Sequence, residues 1–156
     1  GGSLMKLRLI AQIRTELRAQ LERLSKAAME AHAAATDPGS KAEGKYDTRS
    51  LEASYLAAGQ ARQVDELSES VRIFESLVLP NFQPEDAVDA GALVKVIFSG
   101  ETEYFLLVPV SGGLVVSHDG QEISLLTPSS ELYRKLSGMR VGESLVAPIL
   151  EVREIR

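Results

Sequence analysis

Two long apolar stripes of helical period, on either side of a short helix-breaking segment, limit what this chain can fold into more than any other feature. Ile10, Ile13, Leu17, Leu21, Leu24, Ala28 and Ala31 recur at three- and four-residue steps, which lines them along one helical face. Arg14, Glu16, Arg18, Glu22, Arg23 and Lys26 fall between them as a solvated face. The spacing predicts a helix from about Leu4 to Ala34, on the order of 45 Å at 1.5 Å per residue. Thr36-Asp37-Pro38-Gly39-Ser40 stops it: Pro38 lacks an amide and pushes Asp37 out of helical geometry, and Gly39 permits a turn. Helix resumes near Thr48 and runs to about Leu79, with Val64, Leu67, Val71, Phe74 and Val78 as its clean stripe. Leu51, Tyr55 and Ala58 follow a different phase, so a stutter is expected near Gly59. Two helices of similar length with a short polar connection pack antiparallel. Residues 1–79 therefore read as an antiparallel two-helix coiled coil.

Near residue 80 the composition turns from Ala, Leu, Glu, Arg and Gln to Val, Ile, Gly and Pro. Residues 80–91, with Pro80 and Pro84, read as a linker, and residues 92–156 as a β-rich domain. Strands are expected at Leu93–Phe98, Glu103–Val110, Leu114–Ser117 and Glu122–Leu126, with His118-Asp119-Gly120 as a hairpin turn. Pro128-Ser129-Ser130-Glu131 opens a short helix that carries Leu132, Tyr133 and Leu136 and ends at Gly138. Ser144–Ile155 supplies closing strands around Pro148. The fold class is α+β: the coiled coil, then a small antiparallel sheet with one helix on a face.

A net charge of −5 gives no general basic face for DNA, and aromatics at 5% are too few for a stacking surface on single strands. The absence of cysteine removes disulfides, thiolate nucleophiles and Cys-based zinc sites. Gly1-Gly2-Ser3-Leu4 reads as a scar ahead of a natural start at Met5. No charge-free run reaches the roughly 18 residues of a membrane span, so a cytoplasmic protein without membrane contact is expected. His32 and His118 stand alone, with no second histidine nearby and no nucleophile motif. No catalytic residue is assigned.

Leu125-Leu126-Thr127-Pro128-Ser129-Ser130-Glu131-Leu132, running on through Leu136, Gly138, Val141, Gly142 and Glu143, resembles a pattern of the Gre family of bacterial transcript-cleavage factors. That pattern is a strand, Ser/Thr-Pro, an amphipathic helix, then Gly-x-x-Val-Gly-Asp/Glu. The resemblance covers about twenty residues in motif and nearly the whole chain in layout. It implies an FKBP-like C-terminal domain that grips the rim of the RNA polymerase secondary channel, and a coiled coil that enters the channel. It also implies that acids at the coil tip help hold a catalytic Mg²⁺ while the polymerase cleaves its own backtracked transcript. Such a factor is not itself an enzyme, and has no cofactor beyond magnesium shared with the polymerase. An isomerase pocket of the kind some FKBP-like domains carry is not expected from Phe98, Tyr104, Phe105 and Tyr133 alone.

The tip departs from the family pattern. Where the family has Asp-x-x-Glu-Asn-Ala-Glu-Tyr, this chain runs from Asp37 through Pro38, Gly39, Lys41, Glu43 and Lys45 to Tyr46 and Asp47. Tyr46 aligns with the family tyrosine, but Lys45 stands before it instead of an acid. The candidate tip residues are Asp37, Lys41, Glu43, Lys45, Tyr46, Asp47 and Arg49. Glu43 and Asp47 share a face if their segment is helical. Asp37 also serves as a helix end and Asp47 or Thr48 as a helix N-cap, which asks nothing of function. Lys41, Lys45 and Arg49 suit transcript RNA, a nucleotide or acidic polymerase residues, and they weaken the field for Mg²⁺. A cleavage factor, a non-cleaving channel inhibitor and a coiled-coil adaptor thus remain three readings of the sequence.

Overall fold

The computed structural model describes residues 2–36 and 48–156. Helix α1 spans Gly2–Thr36 and α2 spans Thr48–Ser76. Strands β1 (Leu93–Phe98), β2 (Glu101–Leu107), β3 (Val115–His118) and β4 (Gln121–Leu126) follow. Helix α3 (Glu131–Leu136) and the hairpin of β5 (Ser144–Val146) and β6 (Ile149–Ile155) complete the chain. Residues form two compact units: 14–75, and 1–13 together with 76–156.

The unit of residues 14–75 is a helical hairpin. Leu17 and Phe74 are fully buried, and Leu21, Leu24, Val64, Leu67 and Val71 are half-buried along the expected stripes. The Arg14 guanidinium donates to the Phe74 carbonyl at 2.5 Å and to the Glu75 carbonyl at 3.2 Å. These are carbonyls of the last helical turn, which lack amide partners within the helix, and a cation there also meets the negative end of the helix dipole. Arg18 Nε adds a 2.7 Å bond to Glu75 Oε1. Residues early in α1 thus meet the end of α2, as an antiparallel pair requires. Helix α2 runs through Gly59 and stops at Ser76, short of the expected Leu79. Val78 is accordingly 81% exposed and is not part of the seam. Pro80 bars the helix from Leu79, because it drives the residue before it away from helical geometry.

The second unit holds a six-stranded sheet in the order β3-β4-β2-β1-β6-β5. The expected antiparallel sheet carries one parallel pairing, β2 with β4, in register Tyr104↔Ile123 and Leu106↔Leu125. Asp119 (φ +51) and Gly120 (φ +77) turn β3 into β4 as the Asp-Gly pair predicts. Both faces of the sheet are apolar. Val94, Val96, Phe105, Leu107, Leu150 and Val152 on one face join Leu136 and Met139 in a core capped by α3. Cα partners across a ladder share a face, so Leu93, Leu106, Leu125, Ile123 and Val116 lie together on the other, and all five are buried. The first three turns of α1 belong to this unit, and their Leu9, Ile10 and Ile13 are buried with it. At roughly 1.5–3 kcal/mol for each fully buried aliphatic side chain, these three are a substantial part of its core.

Candidate functional site

The structure leaves most of the sequence-derived candidates unplaced. Asp37, Lys41, Glu43, Lys45, Tyr46 and Asp47 lie outside the described residues. Arg49 falls in the first turn of α2, and its side chain likewise lies outside them. Among the described residues, no group of three or more His, Cys, Asp or Glu side chains could hold a metal ion. No described helix is long and apolar enough to cross a membrane.

The segment 125–143 is fully described, and each of its punctuation residues has a local task. Leu125, fully buried, and Leu126 end β4. The Ser130 amide then donates to the Thr127 carbonyl at 2.8 Å, and the Ser130 hydroxyl caps α3 by accepting from the Tyr133 amide at 3.5 Å. Arg134 folds back so that Nη1 donates to the carbonyls of Pro128 and Ser129, both at 3.1 Å. This fixes the loop ahead of the helix and leaves a guanidinium beside it. Gly138 takes φ +87, where a side chain would be strained, and its amide donates to the Val88 carbonyl at 2.7 Å. Gly142 at φ +93 donates to the Val152 carbonyl, and Val152 donates to that of Glu143, which sets the chain into the β5–β6 hairpin. The Tyr133 hydroxyl has its pKa raised, first by burial and then by the nearby Asp89 carboxylate. Phe98 and Phe105, 6.4 Å apart between ring centroids, pack into the core.

Two polar side chains that sequence reasoning passed over, Lys6 and Gln12, anchor the start of α1 within its unit, and His118 joins them. Lys6 is only 2% exposed. Its ammonium donates to the Pro80 carbonyl at 2.5 Å and the Gly91 carbonyl at 2.8 Å, and lies 4.8 Å from the centre of the Phe82 ring. Burial lowers its pKa to about 8. Gln12 donates from Nε2 to the Ser117 carbonyl, while its Oε1 lies 2.9 Å from His118 Nδ1. Since Oε1 only accepts, Nδ1 carries the proton in this contact. His118 Nε2 is buried without a hydrogen bond, 3.5 Å from Asp119 Oδ2. One signal pointed toward this role for α1: Leu9 beside Ile10 makes the stripe wider than a two-helix seam needs. A cavity of about 760 Å³ opens nearby, between Met5, Phe82, Val141 and Ile155, with Arg153 and Arg156 among its lining residues. Each arginine pairs with the acid two residues before it, Arg153 with Glu151 and Arg156 with Glu154.

No family model matches the sequence, and no curated protein matches it. Solved structures of similar layout exist. One is GreA factor homolog 1 (Gfh1) of Thermus thermophilus, 22% identical, covering 92% of this chain and 94% of that one at a TM-score of 0.36. Gfh1 of Thermus aquaticus is also 22% identical, covering 91% of this chain and 92% of that one at a TM-score of 0.35.

Proposed function

We propose that this chain is a Gre-type factor that binds RNA polymerase through its sheet-bearing unit and places the tip of its helical hairpin in the polymerase secondary channel. The observation that carries the reading is the ordered run from Leu125 to Glu143: strand, Thr127-Pro128, capped helix, Gly138, then Val141-Gly142-Glu143. The helical hairpin ahead of it supplies the matching layout. On this reading the protein has no catalytic site of its own and works in the cytoplasm, and the polymerase performs the chemistry. Glu43 and Asp47 would lend oxygens to a Mg²⁺ held mainly by the polymerase, a role that suits carboxylates toward a hard cation.

A second reading within the same class rests on the cations of the tip. Lys41, Lys45 and Arg49 alternate with Asp37, Glu43 and Asp47, a mixture suited to contact with transcript phosphate or acidic polymerase residues and poorly suited to metal binding. On it the factor occupies the channel without promoting cleavage. A stalled elongation complex in Mg²⁺, with and without the protein, separates the two. Shortening of the transcript that Glu43→Ala or Asp47→Ala reduces at least tenfold is the outcome expected of a cleavage factor. Unchanged transcript with altered initiation identifies the channel blocker. Core polymerase that retains none of the protein at low salt sinks both.

A further inference from the structure

We infer that the tip of the β5–β6 hairpin is a rigid apolar knob that docks into an apolar hole on a partner protein, a hole bordered by carboxylates. Val146 is 89% exposed and Ile149 is 68% exposed, and they are direct cross-strand partners. Opposed residues on a ladder hold their Cβ atoms about 4.5–5.5 Å apart on one face, so the two side chains form one continuous apolar surface. Only Ala147 and Pro148 separate them in sequence.

Among the described residues nothing covers this surface, yet the fold holds it in place from two sides. The Lys135 ammonium donates to the Ala147 carbonyl at 2.7 Å, and the Ser99 amide donates to the Ile149 carbonyl at 2.9 Å. A preorganised element loses little freedom on binding, which favours association. An aliphatic pair kept in water by a braced turn is the kind of exposed patch that marks an interaction site.

Charge identifies the occupant. Lys135 sits at the base of the knob, and Arg134 is its neighbour in the last turn of α3. Among the described residues Arg134 has the Pro128 and Ser129 carbonyls as partners, and these do not offset its charge. Lys135 also meets Glu131 at 3.2 Å in an exposed pair, and such pairs are weak enough for a partner's carboxylate to replace. The fitting surface is therefore an apolar depression with acids on its rim. The inference rests on the proposed polymerase binding and names the part of the sheet-bearing unit that makes it.

Full-length wild type, a Val146→Ser/Ile149→Ser double variant and Lys135→Glu should be titrated against purified core polymerase, with melting curves and sedimentation run alongside. The double variant is expected to keep the wild-type melting temperature and to bind at least tenfold more weakly. Lys135→Glu is expected to lose affinity and to show a flatter salt dependence. Equal binding by wild type and the double variant overturns the knob while leaving polymerase binding intact. Wild-type affinity in Lys135→Glu overturns the acidic rim. A wild-type dimer that the double variant dissolves makes a second copy the occupant and overturns the inference. No binding by wild type overturns the polymerase reading and the inference together.

Discussion

The Lys6 ammonium keeps two carbonyls and one ring face in exchange for nearly all of its water. Burial disfavours its charged form, so its folded pKa of about 8 lies below the usual 10.5. Between those pH values the unfolded chain binds more protons than the folded one, and stability rises with pH. Below pH 8 the desolvation cost is fully present; above 10.5 it is gone. Urea unfolding from pH 7.5 to 10.5 should show wild type gaining on the order of 2–3 kcal/mol relative to Lys6→Met. Parallel curves for the two proteins would contradict a buried cation. Gly91, which supplies one of the carbonyls, has φ +88, and a Cβ there would stand 2.4 Å from Pro80 Cδ. Gly91→Ala should therefore lose about 2–4 kcal/mol in the same assay, from backbone strain and overpacking together. Neither role was legible in the sequence. Lys6, like Arg8, interrupts an apolar helix start, and only the chain 74 and 85 residues away turns it into an interior group.

Elements were far more legible than their partners. The described parts of the α1 and α2 stripes, the first strand and the short capped helix fall where periodicity and punctuation put them, because those signals are local. Two departures stand out, and the first came from a contact that no local pattern encodes. The β2–β4 pairing is parallel, and a period of two assigns a strand its faces without naming its neighbour. Val78 kept the helical period and still fell outside α2, because the helix ends at Ser76. Leu9 shows the same limit from the other side: its place beside Ile10 widens the stripe, but nothing local says that a sheet unit shares its burial. Leu9→Ala should cost about 2–5 kcal/mol, and hydrogen exchange should speed up at the amides of Val94, Val96 and Leu106. Leu4→Ala, at a position 52% exposed, should stay within about 0.5 kcal/mol of wild type. Similar losses at both positions would mean that the root of α1 packs without preference for a face.

At the scale of the whole molecule, the sequence divides near residue 80 while the compact units divide elsewhere: residues 1–13 group with 76–156. Composition could not show this, because the root of α1 has the same helix-forming residues as the rest of it. What distinguishes the root is what it meets: Lys6 bridges to Pro80 and Gly91, and Gln12 to Ser117 and His118. The tip is the reverse case: its candidates were named from the sequence, and all but the backbone of Arg49 lie outside the described residues. The grouping makes a sharp prediction about a fragment of residues 76–156. It keeps the core under α3 but loses Leu9, Ile10 and Ile13, which share the unit with the face carrying Leu93, Leu106, Val116, Ile123 and Leu125. A unit of about eighty residues stripped of three buried aliphatic side chains has little margin, since a domain's net stability is only about 5–15 kcal/mol. The fragment should bind a hydrophobic dye, show poorly dispersed amide resonances and melt without a sharp transition. Joining residues 1–13 to it through a flexible linker should restore a cooperative melt, and the same joined segment carrying Leu9→Ala and Ile13→Ala should not. A sharp melt from 76–156 alone would show that the sheet needs no part of α1, and residues 1–13 would then be an accessory to the unit rather than part of its core.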